Sequence, residues 1–568
     1  MCMKFNEFNY NRPDLDIFKK DYQENIDQIK NANSVKEALE GIHEIQALQN
    51  EINTQSELAE IRFSINTKDA FYKKESDFWN EQLPIISEWE TDYYRAILNS
   101  PFLSELKQEI AAPFFDIIEN SLKVFDPTII PLLQQENKLV SEYDSLIASA
   151  EIDYKGETYN LSGLTPFMQS TDRQERKATS ELYANFFQEN LADFDRIYDE
   201  LVKVRHEMAT SLGFKDFVEM GYARMNRLDY TRSDVEVFRR EVLEQIVPLS
   251  TYIYDRQAKR LELDELKYYD LNLSFPTGNA KPIGTAYELI QKAEKMYSDM
   301  SPETADFFDF MVKHDLMDLL TKPGKQSGGY CTHIPNFNAP FIFANFNGTS
   351  GDVDVLTHEA GHAFQLYRSR WINEPELIWP THESCEIHSM SMEFIAWPYM
   401  DEFFGEKVEK YKYAHLSEGV TFLPYGVLVD HFQHEIYENP TMTPEERRSK
   451  WRELEKQYTP WKEYDDNEFY EQGGLWFRQG HIFNSPFYYI DYTLAQVCAF
   501  QFWERSHVKD DDSFWSDYLN ICRVGGTKSF QEIVKLANLK SPFEENSLSE
   551  VTQAIQTYLE AIDEEQLI

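Results

Sequence analysis

The chain has 568 residues, with 98 Asp and Glu against 55 Lys and Arg, a formal net charge of −43 at pH 7. Nucleic acids reward basic surfaces through counterion release and anionic membranes attract them too, so neither is an expected partner. Hydrophobic residues make up 42% and aromatics 15%, enough for a folded interior, and the length exceeds what one core supports, predicting more than one lobe.

The first residues, "MCMKFNEFNYNRPDLD", carry no basic stretch followed by an apolar core, so no secretory signal is expected. No run of about eighteen apolar residues suggests a membrane span. Cys2, Cys331, Cys385, Cys498 and Cys522 are scattered and lack CxxC spacing, which reads as reduced thiols in a cytoplasmic protein. Up to about residue 150 the apolar spacing of three and four predicts long amphipathic helices, as in "SVKEALEGIHEIQALQNEINTQSELAEIRFSIN". Pro84 is expected near a helix start or at a kink. "AEIDYKGETYNLSGL" alternates around Lys155-Gly156 and predicts a small hairpin, after which a helix restarts with Ser170, Thr171 or Asp172 as its cap. A boundary is placed here, between a helical lobe at 1–165 and a catalytic domain at 166–568.

From about 175 to 320 the pattern is helical, broken by "LSFPTGNAKPIGT". "SGGYCTHIPNFNAPFIFANFNGTSGD" is the strand-rich stretch, and an edge strand here would be placed to pair with an extended peptide. It runs into "DVLTHEAGHAFQLY", where His358 and His362 stand four apart and so share one helix face. Glu359 points about a third of a turn away, suited to take a proton from water beside a metal without ligating it. Chance would produce HExxH in such a chain at a level of about a few per cent. The apolar flanks favour a buried helix, whose histidines and glutamate need partners that a zinc ion supplies. Asp352 is expected to cap this helix and support the centre. Gly361, lacking a side chain, leaves room for a neighbouring backbone to approach.

Position 368 is Arg rather than His, which excludes the three-histidine pattern. A third ligand is sought in "THESCEIHSMSMEFIAW", where Glu386 and Glu393 lie seven apart on one face. Glu383, His382 and His388 compete, and spacing does not decide among them. Further on, "GHIFNSPFYYIDY" brings His481, Tyr488, Tyr489 and Tyr492 within helical spacing of each other.

In "FANFNGTSGDVDVLTHEAGHAFQ", "CEIHSMSMEF" and "GHIFNSPFYYIDYTLAQ" the chain resembles the thimet oligopeptidase and oligoendopeptidase F peptidases, nearest to their bacterial, Pz-peptidase-like branch. The resemblance covers most of the chain. It implies a mostly α, two-lobed metallopeptidase with a small sheet beside the HExxH helix and a deep substrate channel. It further implies one Zn2+ per chain held by His358, His362 and Glu386, with Glu393 behind a ligand histidine. Tyr492 takes the place of the oxyanion-stabilising tyrosine, Tyr489 that of a second phenol, and His481 that of a substrate-binding histidine. Phe343 and Ala344 would pair with the substrate backbone. Where some relatives carry a further tyrosine in a glycine-rich loop, this chain has Asn484-Ser485-Pro486, and Tyr488 is the substitute.

The expected activity is hydrolysis of internal bonds in short unfolded peptides by a Glu359-activated water, in a monomer or small homo-oligomer. A carboxypeptidase or another zinc amidohydrolase is the alternative, needing a basic residue such as Arg478 or Arg368 for a terminal carboxylate. A non-catalytic peptide-binding protein is the third reading, opposed by the retention of Glu359.

Overall fold

A computed structural model describes residues 3–322, 324–326 and 328–567. Cys2 and Ser327, the first residue of the strand-rich stretch, lie outside the described residues. The chain is mostly helical and divides into two compact, discontinuous units. One takes the described residues up to Pro127 with Pro282–Gly405 and Asp510–Leu539, and the other takes Thr128–Lys281, Glu406–Lys509 and the described residues from Lys540 onward. Among the described residues no helix is long and apolar enough to cross a membrane.

The first unit begins with helices Leu15–Asn31, Val35–Ile65 and Ala70–Leu98. Asp14, Ser34 and Asp69 cap them by accepting from backbone N–H groups of the first turn. Their apolar faces meet in one core that includes Tyr22, Ile42, Trp79 and Tyr93. Pro84 sits well inside the third helix rather than near its start.

The same unit holds a three-stranded sheet of order β3-β5-β4, with β3 at Met317–Leu320, β4 at Tyr330–Ile334 and β5 at Ala339–Phe346. β5 pairs antiparallel with β4 and parallel with β3. Two expectations are corrected here. Residues 317–320, read as helical, form a strand, because the preceding helix ends at Lys313 and Asp315 turns the chain at φ 52°. β5 is the central strand: Phe343 lies opposite Asp318 on one side and Tyr330 on the other. The Ala344 carbonyl accepts from the Lys325 ammonium, and Phe343 and Ala344 are fully buried. With neighbours on both edges, Phe343 has no free edge for strand addition.

The second unit carries the predicted hairpin, β1 Ile152–Tyr154 and β2 Glu157–Tyr159, turned by Lys155 and Gly156 at φ 50° and 85°. Asp172 caps the helix that follows, Arg173–Glu189, through the Gln174 N–H. The long helix Val408–Glu438 and the helix Tyr489–His507 pack together and are buried along much of their length.

Candidate functional site

β5 leads through a short loop into the helix Gly351–Arg368, which carries the histidines, and the helix His382–Ile395 packs directly on it. His358 and His362 present their rings on one face, with centroids 5.1 Å apart. Their Nε2 atoms lie 3.2 and 3.4 Å from the same oxygen, Glu386 Oε2. On the other side of the His358 ring, Nδ1 is 2.8 Å from Glu393 Oε1. The two glutamates, seven residues apart on one helix, thus take different nitrogens of one imidazole. Ser389 Oγ donates to Glu386 Oε2 at 2.8 Å and holds that carboxylate in place.

One donor atom from each of His358, His362 and Glu386 lies within 4.8 Å of the others. Two imidazoles and a carboxylate are the donor set of many catalytic zinc sites, and the arrangement fits such an ion. A carboxylate on Nδ1 orients a ligating histidine through its second nitrogen, and Glu393 is placed to do so. Burial disfavours charge on Glu386, but the adjacent imidazoles outweigh it and hold its carboxyl well below the usual range. His358 shows the reciprocal balance: burial opposes its protonation, and Glu386 and Glu393 raise it well above its ordinary value.

Glu359 is 7% exposed, and burial pushes its carboxyl above the usual range. Its Oε2 has no hydrogen-bond partner among the described residues. A buried carboxylate beside a metal donor set, with a free oxygen and a raised pKa, is suited to exchange a proton with water. Sequence reading passed over Gly329: a Cβ there would stand 3.6 Å from Glu359 Oε1 and 3.3 Å from the Phe343 carbonyl oxygen. The Gly328-Gly329 pair ahead of β4 was the available signal.

Gly361 is where the two helices touch. A Cβ at this position would meet the His388 carbonyl oxygen at 2.6 Å and Ser389 Cα at 2.7 Å, both backbone atoms that cannot swing aside. Gly361→Ala is therefore expected to destabilise the fold by about 1–3 kcal/mol and to weaken metal binding by moving Glu386 away from the histidines. Chemical denaturation with and without added zinc measures both effects. Wild-type stability and metal content would rule out this packing.

The remaining candidates around the centre separate. His388 is fully buried, and burial pushes its pKa down to about 4, with the Ile521, Ser384 and Cys385 backbone around it. It reads as a neutral core histidine. His382 is exposed at the start of its helix. Asp352 is corrected: it lies within the first turn after Ser350, and its carboxylate accepts from the Asn347 and Gly348 N–H groups at 2.8 and 2.7 Å. It ties down the turn entering the helix and bonds to neither histidine.

The second unit gathers the other four candidates. His481 is on the short helix Gly480–Asn484, and Tyr488 is the residue before the helix Tyr489–His507, which carries Tyr489 and Tyr492. The His481 ring centroid lies 5.7, 4.9 and 5.7 Å from those of Tyr488, Tyr489 and Tyr492. Tyr492 Oη is 3.5 Å from His481 Nε2, and Gln479 Nε2 is 2.9 Å from His481 Nδ1. Tyr425 Oη donates to Gln479 Oε1 at 3.0 Å. Gln479 and Tyr425 were not anticipated. Gln479 sits two residues before His481, whereas Tyr425 lies on the distant helix Val408–Glu438 with no local signal.

Comparison with known proteins follows the same lines. Residues 166–552 match Peptidase family M3, and residues 5–125 match the Peptidase M3 N-terminal domain. A structure of Pz peptidase A with an inhibitor is 51% identical, with a TM-score of 0.96 over 99% of this chain and 100% of that one. A protein of Bacillus anthracis str. Ames, provisionally assigned as an oligoendopeptidase F, is 49% identical, with a TM-score of 0.91 over 100% and 99%. An oligoendopeptidase F homolog of Borreliella burgdorferi is 22% identical over 70% of this chain and 69% of its own length.

Proposed function

Because this chain belongs to peptidase family M3, a family of metallopeptidases, we propose that it is a zinc-dependent endopeptidase cleaving internal bonds of short, unfolded oligopeptides. The observation that carries this reading is the His358–His362–Glu386 donor set with Glu359 directly beside it. His358, His362 and Glu386 would hold the ion, one per chain. Bound there, zinc would supply a Lewis acid that polarises the scissile carbonyl and acidifies water.

The chain's own residues do the rest. A proton on His358 Nδ1 is held by Glu393 Oε1 at 2.8 Å, which leaves Nε2 free to ligate. Glu359 accepts the water's proton on a carboxylate oxygen and returns it to the departing amine nitrogen. We assign to the Tyr492 phenol a hydrogen bond to the developing oxyanion. Tyr489 is the second phenol, and His481 and Tyr488 contact the substrate. In support, the four side chains form one cluster in which Tyr492 and His481 are already within reach of each other.

The test is to incubate the protein with a peptide mixture and, separately, with an intact folded protein, mapping every cut by mass spectrometry. Internal cleavage of the peptides, abolished by a chelator and restored by zinc, with the folded protein left whole, is the expected result. Release of C-terminal residues alone would replace the endopeptidase reading with a carboxypeptidase, and efficient cutting of the folded protein would overturn the restriction to short peptides.

A further inference from the structure

The second unit holds a cavity of about 370 Å3 whose wall includes Tyr183, Tyr268, Tyr425, Trp461 and Tyr470. Its charged lining residues are Glu418, Lys462 and Arg478. Glu418 acts on Tyr254. Lys462 has a carboxylate close by, Glu455 at 3.7 Å, which is fully buried and also engages Arg452 at 3.2 Å. Arg478 is different. Its residue is exposed although it lines the cavity, and among the described residues no carboxylate lies within 4.0 Å of it. Its neighbours are the phenols of Tyr425, Tyr183 and Tyr470, all of which line the same cavity. In a chain of net charge −43, a guanidinium in a concave aromatic site without an acidic partner offers its fork of N–H donors to an anionic ligand.

The cavity is linked to the tyrosine and histidine cluster of the same unit. Tyr425 lies under the Arg478 guanidinium at 5.7 Å from ring centroid to Cζ and donates to Gln479 Oε1 at 3.0 Å. Gln479 in turn reaches His481 Nδ1 at 2.9 Å. The Tyr425 and Tyr489 rings meet edge to face at 5.9 Å.

We propose that this cavity is a subsite for the C-terminal carboxylate of a peptide, anchored by Arg478, with the aromatic wall receiving the last side chains. The C-terminal carboxylate is the one anion that every linear peptide carries whatever its sequence. An acidic side chain offers the same chemistry and is separated by the test. The inference rests on the peptide-substrate reading above for the class of its ligand.

One short peptide is prepared as the free acid, as the C-terminal amide, and as the amide with a single internal glutamate. Binding is measured by calorimetry in the Glu359→Gln protein, which needs no turnover, and kcat/KM is measured with the unaltered enzyme. The free acid is expected to bind about tenfold more tightly than the amide. Arg478→Gln is expected to erase that difference, with amide binding unchanged within about twofold, and Arg478→Lys to keep part of it. Equal binding of acid and amide, or an equal loss of both in Arg478→Gln, overturns the proposal. Rescue of the amide by the internal glutamate overturns the assignment to the C-terminus. Arg478-dependent preference for the acid without any cleavage supports the subsite and counts against the peptidase reading instead.

Discussion

Glu359→Gln is expected to keep its zinc and to lose peptidase activity by about a thousandfold, within the range for removing a general base. The amide has nearly the shape of the carboxylate and fills the same buried position, 7% exposed, so packing on the helix Gly351–Arg368 is preserved. It cannot accept a proton. Glu359 is outside the set of three donors that lie within 4.8 Å of one another, so metal content measured by elemental analysis is expected to match the unaltered protein. Steady-state hydrolysis of a quenched fluorescent peptide reads the activity. Full metal occupancy with near-normal turnover would remove Glu359 from the mechanism.

Glu386→Ala is expected to empty the centre. Its Oε2 is the atom that both histidines face, at 3.2 and 3.4 Å, so its loss removes the anionic ligand and separates the two helices electrostatically. Zinc affinity is expected to fall by at least about a hundredfold, since even a supporting residue behind a ligand is worth ten- to a hundredfold. Metal that binds only the folded state stabilises it by about 4 kcal/mol when free metal is a thousandfold above Kd. Chelation should therefore lower the melting temperature of the unaltered protein by several degrees and leave that of Glu386→Ala unmoved. An equal drop in both proteins would show that Glu386 is not a ligand.

Several of these features could be read locally. The four-residue spacing of His358 and His362 defines a shared helix face wherever the helix lies, and Lys155-Gly156 between alternating residues specifies a tight hairpin turn. The spacing of Tyr488, Tyr489 and Tyr492 puts their rings within reach for the same reason. Gly361 also carried a local hint, because a buried helix with a bare position invites a close neighbour, and the His388 and Ser389 backbone occupies that space.

The rest depended on contacts between distant segments. Glu386 and Glu393 share one helix face by spacing alone, and only the docking of His382–Ile395 against the histidine helix separates them. One then meets Nε2 of His358 and the other Nδ1. Alternating aromatics in β5 signalled a strand but not its place in a sheet, which depends on β3 pairing with it in parallel from an earlier segment. Asp352 looked like a cap for the following helix, whereas the fold of residues 347–350 turns it back on its own loop. Arg478 stood out no more than Arg368 until the surrounding tyrosines and the cavity that it lines made it distinct.

By itself the sequence determined the chemistry available to this protein: two imidazoles on one helix face, a carboxylate next to them, and a tyrosine-rich helix. These follow from short-range periodicity, which the backbone obeys irrespective of what surrounds it. Tertiary structure alone decided which carboxylate serves which nitrogen and which strand is central. Each of these is a pairing between segments far apart in the chain, settled by which buried polar groups find partners when the core closes.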